Sequence, residues 1–181
     1  MGILMIILYI IVGLIALVLI AAIFTKKGYT IQRHVNINLP RQQVFDYVKH
    51  INNQEYYNKW VMADPNLKKE YRGIDGTVGY VSAWESEMKQ VGKGEQQIKA
   101  IVEGKRIDLG MHFIKPSEGK AEAFMETETL PGSQSKLTWG ISGVMKYPAN
   151  FIMLVIINIP KMLAKDMEVS LSNLKKLLEA A

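Results

Sequence analysis

The stretch that decides the fold is residues 29–48, which read Y-T-I-Q-R-H-V-N-I-N-L-P-R-Q-Q-V-F-D-Y-V. Its first part alternates every second residue, and one face carries Tyr29, Ile31, Arg33, Val35, Ile37 and Leu39, a pattern that predicts a strand. Pro40 then stands where a helix can begin. After it, helical spacing joins Val44, Phe45, Val48 and Ile51. The stretch therefore predicts a strand that leads directly into a short helix.

The pattern downstream is one of short helical and alternating segments. Residues 54–60 predict a second short helix, and residues 63–66 read as a turn. Apolar residues then alternate with others in runs near 78–84, 95–103, 107–114, 120–130 and 134–145, with Gly and Pro residues between the runs. Strands separated by turns at intervals of about 10 residues predict an antiparallel meander.

The last segment, Ala149 to Ala181, has apolar residues at helical spacing and predicts one long amphipathic helix. Pro160 removes a backbone donor, so we expect a kink or a break near residues 158–161. Residues 151–157 are seven apolar residues in succession. That part must be buried all round, lie against a membrane, or lose one face to a ligand or a partner.

The N-terminal segment Ile3–Phe24 contains no charge and no proline. As a helix it is about 33 Å long, enough to cross a bilayer, and it lacks the cleavage pattern of a signal peptide. We predict a single-pass transmembrane anchor over residues 1–27 in the cell membrane, the alternative being a core helix of the domain that follows. The positive charges Lys26, Lys27, Arg33 and Arg41 lie on the C-terminal side, which places the domain in the cytoplasm.

Residues 28–181 are of a size that buries a single core, so one domain is expected there. All 22 Lys and Arg and all 17 Asp and Glu residues follow the apolar segment, and the net charge is +5. Because Lys26 and Lys27 adjoin the anchor, we expect the basic balance to act on anionic lipid. Elsewhere Lys and Glu are interspersed, so no nucleic-acid partner is expected. The absence of cysteine excludes disulfides, thiolate catalysis and thiolate metal sites.

The order of strand, two short helices, meander and long final helix is that of the helix-grip fold, an α+β fold in which an antiparallel sheet wraps around the last helix. The chain resembles the SRPBCC superfamily, which includes START-like, Bet v 1-like and polyketide cyclase-like proteins, and most resembles its polyketide cyclase/dehydrase and lipid transport branch. The resemblance covers residues 29–179. It is carried by residues 40–48, 56–60, 79–85, 92–95, 135–139, 162–168 and 171–175.

The resemblance implies binding of a hydrophobic ligand, such as a lipid, between the sheet and the last helix. Such a site needs an apolar wall that is incompletely filled. The candidate wall residues are Trp60, Tyr80, Trp84, Met111, Phe113, Phe124, Trp139, Phe151, Leu154 and Val155. The alternative for each of them is plain core packing.

Few residues point to catalysis. The three histidines have no metal-ligand spacing, so we predict neither a metal site nor a cofactor. His112 could approach Glu126 or Glu128 on the following strand.

Three functions are therefore open. The first is a membrane-anchored lipid-binding domain without catalysis. The second is an accessory subunit that docks on integral membrane protein subunits. The third is a polyketide cyclase-like enzyme that uses His112, Tyr80 or a glutamate.

Overall fold

The structure is a computed structural model that describes residues 2–180, so Met1 and Ala181, the outer ends of the two predicted regions, lie outside the described residues. The helices are α1 (Ile3–Phe24), α2 (Arg41–Lys49), α3 (Lys59–Met62), α4 (Ala149–Phe151) and α5 (Ile159–Glu179), with a 3₁₀ helix at Ile51–Tyr56 and a π-helical turn at Ile152–Ile156. The strands are β1 (Gly28–Ile37), β2 (Lys68–Arg72), β3 (Val81–Glu85), β4 (Lys93–Val102), β5 (Arg106–Lys115), β6 (Gly119–Leu130) and β7 (Gln134–Val144).

The strands form one antiparallel sheet in the order β1-β7-β6-β5-β4-β3-β2. Strands β2 to β7 follow one another as a meander, and β1 closes the sheet by pairing with β7. The predicted meander is confirmed. Strand β2 was not predicted, because every residue of its sequence K-K-E-Y-R is exposed and no apolar alternation marks it.

One face of the sheet, here called the inner face, packs on the helices and carries the core. Ile107 and Leu109 of β5 and Leu137 of β7 are buried and alternate with more exposed neighbours, as a strand with one buried face requires. The amphipathic helix α2 adds Val44, Phe45 and Val48 to this core.

A register shift in β4 corrects one part of the predicted pattern. The sequence places Val102 on the same face as Ile98, but the pairing with β5 shifts between Ile98 and Ala100. After that irregularity the alternation is reversed, so Ile101 packs on the core and Val102 is exposed.

The predicted break in the last helix is confirmed. Asn158 adopts a left-handed conformation with φ of 56° and caps α5 by accepting a hydrogen bond from the Lys161 N–H. Pro160 lies in the first turn of α5, where its missing N–H costs least. The segment before the break is the short α4 and the π-helical turn rather than a continuation of the long helix.

Helix α1 is long and apolar enough to cross a membrane, with a mean hydropathy of 3.4 over 18 residues, none of them buried. It is not a core helix of the domain, since Ala22 is its one buried residue. Its C-terminal end packs on α4, where the Asn150 side chain donates hydrogen bonds to the Ala22 and Thr25 carbonyls. Only three residues separate the end of α1 from the start of β1, so α1 and the sheet are closely coupled.

Candidate ligand-binding site

Helix α5 runs beside β1 in the same direction, and the contacts between them show which residues lie at each end of the groove between the inner face and α5. Arg33 pairs with Glu168 at 2.6 Å, and Lys175 Nζ donates to the Asn36 carbonyl at 2.7 Å. At about 3.3 Å per strand residue and 1.5 Å per helical residue, this register places Tyr29 beside the first turn of α5. We call that end, next to α1, the near end, and the end at Asn38 and Glu179 the far end.

The far half of the groove is filled by side chains. Ile37, Val44, Phe45, Leu137 and Leu174 are each 0% exposed. A void that admits water would appear as accessible surface on the side chains around it, so no such void adjoins these five. The expected unfilled space therefore does not exist in this half, since the aliphatic and aromatic side chains there interlock as in an ordinary core.

The near half is lined by apolar side chains that are only partly buried. Two rows of paired residues cross the inner face there. One row is Met111, Ala121, Gly143 and Tyr29, and the next is Trp84, Gly94 and Phe113. Tyr29, Met111 and Phe113 pack on the core at their inner edges, and neither they nor Trp84 are fully covered. We call this set, Tyr29, Trp84, Met111 and Phe113, the mouth.

Aromatic contacts hold the mouth in shape. The rings of Trp84 and Phe113 meet edge to face with centroids 6.2 Å apart. The Trp84 indole lies directly over Gly94, where a Cβ atom would come within 2.7 Å of the ring. Trp84 Nε1 donates to the Val91 carbonyl, which fixes the indole along the strand. The mouth is therefore a preformed apolar surface.

Trp139 of β7 lies on the inner face, nearer the middle of the groove, and Trp60 of α3 packs against it. Trp60 is partly buried, its Nε1 donates to Asp166 of α5, and its ring meets Trp139 edge to face at 5.8 Å. Lys59 pairs with the same Asp166 carboxylate. Trp139 is 4% exposed, and its buried Nε1 has no hydrogen-bond partner among the described residues.

A small cleft lies between the 3₁₀ helix and strands β2 and β3. Its volume is about 30 Å³, room for about one water molecule. Gln96 Nε2 donates to Gln54 Oε1 at 3.0 Å, and Asn58 Nδ2 donates to the same oxygen at 3.1 Å. This buried amide cluster was missed by sequence reasoning, since no local pattern relates residues 54 and 96.

The remaining candidate wall residues lie elsewhere. Tyr80 is 2% exposed, stacks on Tyr71 and donates its hydroxyl to Asn52, and its burial raises the pKa of that hydroxyl. Phe124 is on the outer face of the sheet, under the Arg106 guanidinium 3.9 Å from its ring centroid. Phe124 was placed on the wrong face, because Ala121, Ala123 and Met125 occupy the inward positions of β6.

Phe151, Leu154 and Val155 lie on the segment that adjoins α1, outside the sheet. The structure thus brings together Trp84, Met111 and Phe113 at the mouth and Trp60 with Trp139 behind it. It separates the other five candidates from them. Whether any of these residues binds a ligand stays a prediction.

The outer face of the sheet carries a wide, open groove of about 750 Å³. Side chains of both charges line it, among them Glu95, Lys99, Lys120 and Glu122. His112 is also here, with Nε2 3.4 Å from Glu118, and it pairs across the sheet with Lys120. The expected approach of His112 to Glu126 or Glu128 is wrong, because Glu126 pairs with Arg106, six residues along β5.

Comparison with solved structures identifies the fold class. The crystal structure of Ara h 8.0201 matches with a TM-score of 0.60 at 15% identity, over 85% of this chain and 99% of that one. A norcoclaurine synthase from Thalictrum flavum, in complex with dopamine and hydroxybenzaldehyde, matches with a TM-score of 0.63 at 11% identity, over 86% of this chain and 88% of that one. The crystal structure of a protein from Chromobacterium violaceum matches with a TM-score of 0.59 at 17% identity, over 83% of this chain and 96% of that one.

The chain thus has the predicted α+β helix-grip fold, with Bet v 1-like structures among its neighbours. No family model and no curated sequence matches it. At these identities the likeness establishes the fold alone. Membership of the polyketide cyclase and lipid transport branch stays a prediction.

Proposed function

We propose that the chain is a membrane-anchored helix-grip domain that binds a hydrophobic or amphipathic small molecule at the mouth, without transforming it. The observation that carries the proposal is the unequal burial of the inner face. Its apolar side chains are fully covered at the far end and partly uncovered at the near end, where α1 joins the domain. A partly uncovered, preformed apolar surface is what a hydrophobic ligand covers on binding.

The filled far half limits how much of a ligand can enter. Because Leu137, Met167 and Leu174 are covered completely, the ligand occupies the mouth rather than a deep interior. This favours an amphipathic molecule that inserts one apolar part and leaves the rest outside. The pair of Lys59 and Asp166 beside Trp60 provides charged groups near the rim of the groove.

The anchor suits such a ligand. If α1 spans a bilayer, the mouth stays at the membrane surface, because only residues 25–27 separate α1 from β1. A lipid could then move between bilayer and mouth without crossing water. The proposal places the domain on the cytoplasmic side, where the basic residues Lys26 and Lys27 meet anionic headgroups.

The enzyme alternative has less support. His112 is on the outer face with Glu118, and Tyr80 donates its hydroxyl within the core to Asn52. Neither residue lies at the mouth, so a substrate held there would not contact the groups that were expected to act on it. The subunit alternative is favoured by one observation, the exposed apolar residues at 152–157.

The test is native mass spectrometry of the full-length protein purified from membranes in detergent. The informative variant is Met111→Gln, which places an amide on the mouth. His112→Gln is the matched control, since it alters the next residue of β5 on the opposite face. We expect a co-purified lipid-like mass in the wild type and in His112→Gln, and a loss of occupancy in Met111→Gln.

Two results would contradict the proposal. One is a wild-type protein that carries no small molecule after purification and gains none when mixed with a membrane lipid extract. The other is equal occupancy in the two variants, which would place the ligand away from the mouth.

A further inference from the structure

The segment of residues 151–157 presents an apolar surface that nothing in the described part of the chain covers. Ile152, Val155, Ile156 and Ile157 are 41%, 53%, 66% and 44% exposed. Isolated exposed apolar residues are ordinary on protein surfaces, but four in six positions form a patch that marks an interaction site.

Contacts with α1 fix where this segment lies. The buried side chain of Asn150 donates to the Ala22 carbonyl at 2.9 Å and to the Thr25 carbonyl at 3.0 Å. The Tyr147 hydroxyl reaches the Leu19 carbonyl at 3.5 Å. Leu19 is five residues before the end of α1, which is about 7 Å along the helix axis. If α1 spans a bilayer, the residues that lead into the segment therefore pack on a part of α1 that lies below the membrane surface.

The charge pattern agrees with that depth. Residues 147–160 contain no charged side chain, and exposed lysines, Lys146 and Lys161, flank them. Lys26 and Lys27 are also exposed, at the end of α1 where α4 packs. Lysines at the edges of an apolar segment reach the headgroup layer while the apolar residues enter the acyl region.

We propose that residues 151–157 insert into the lipid leaflet from which α1 emerges, as a second contact between the domain and the bilayer. The inference rests on the proposed function in one respect, that α1 spans the membrane. Short interfacial segments of this kind bury their apolar side about 5–10 Å into the boundary of headgroups and acyl chains, a depth that matches the Tyr147 contact. Together with α1, this second attachment restricts the tilt of the domain relative to the membrane surface.

The experiment uses spin labels on single cysteines, which the cysteine-free sequence allows. The full-length protein is reconstituted into vesicles of phosphatidylcholine and phosphatidylglycerol. The collision frequency of the label is measured with oxygen, which concentrates in the acyl region, and with a water-soluble nickel chelate. The labelled variants are Ile156→Cys in the segment, Ile15→Cys in α1, and Leu177→Cys, an exposed apolar position near the far end of α5.

We expect the ratio of oxygen to nickel collisions at position 156 to approach that at position 15 and to exceed that at position 177. A water-like ratio at position 156 with a lipid-like ratio at position 15 would overturn this inference and leave the anchor intact. Shielding of position 156 from both reagents would also overturn it, because a protein partner would then cover the segment. A water-like ratio at position 15 would overturn the anchor itself and this inference with it.

Discussion

Replacement of Gly140 by alanine tests the packing of the outer face. A Cβ atom at Gly140 would lie 2.1 Å from Phe124 Cε1 and 2.5 Å from Cζ, whereas ordinary contacts begin at 3.4 Å. The ring must therefore retreat by about 1.3 Å, the difference between 2.1 and 3.4 Å. The Arg106 guanidinium covers that ring, and Asp108 holds Arg106 through two hydrogen bonds of 2.9 and 2.7 Å.

The expected cost of Gly140→Ala combines displacement of the ring with loss of the cation–π contact. Insertion of a methyl group into a packed site costs about 1–3 kcal/mol, and an exposed cation–π contact contributes about 0.5–1 kcal/mol. We expect the free energy of unfolding to fall by about 1–3 kcal/mol in total, since the ring lies at the surface and can partly move outward.

The assay is urea unfolding of the full-length protein in detergent, followed by tryptophan fluorescence. Gly119→Ala is the matched control, because nothing lies within 4 Å of a Cβ at that position of β6. It should leave stability unchanged or raise it slightly. In a Phe124→Ala background, Gly140→Ala should lose its cost. The reasoning fails if Gly140→Ala unfolds like Gly119→Ala, or if its cost persists after the Phe124 ring is removed.

Two further substitutions test the packing of α1 on the domain and the response of the fold to acid. Asn150→Ala removes the hydrogen bonds to the Ala22 and Thr25 carbonyls at the end of α1, which should lower the stability of that contact by about 1–3 kcal/mol. Trypsin should therefore cleave faster at Lys26 and Lys27 in Asn150→Ala than in Asn66→Ala, a control at an exposed position. Equal rates would mean that Asn150 does not hold the end of α1. The pKa of the Glu55 carboxyl lies below its ordinary value of 4.5, because it accepts hydrogen bonds from Lys69 and Tyr71. Because this pKa is lowered in the folded state, the charged carboxylate stabilises the fold above pH 4.5, and this stabilisation is lost as the pH falls. The difference in the free energy of unfolding between wild type and Glu55→Gln, obtained from urea unfolding midpoints, should therefore shrink on acidification. A gap that is constant with pH would refute this.

Much of the fold could be predicted because its elements carry local signals. The apolar run of α1, the alternation of β5 to β7 and Pro160 each act through neighbouring residues. Strand β2 carries no such signal. It lies at the sheet edge, where Lys and Glu side chains face solvent on both sides and only its pairing with β3 makes it a strand.

The candidate site was harder to predict because it depends on how completely side chains fill the groove, which the alternation of apolar residues in the sequence does not indicate. Met111 and Phe113 of the mouth follow from the alternation of β5, but the filling of the far half depends on how α2 and α5 side chains fit together. Phe124 shows the same limit. In β6 the inward positions hold small alanines beside Met125, and its large aromatic residue faces out beneath an arginine.

The shared direction of β1 and α5 also determines where helix α5 ends. Glu179 accepts a hydrogen bond from the Asn38 N–H, so the C-terminal end of α5 lies at the far end of the groove, one helix length, about 30 Å, from the start of α5. A fluorescent protein attached beyond Glu179 would therefore stand clear of the mouth. If α1 spans a membrane, such a fusion would report in living cells which side of that membrane the domain occupies.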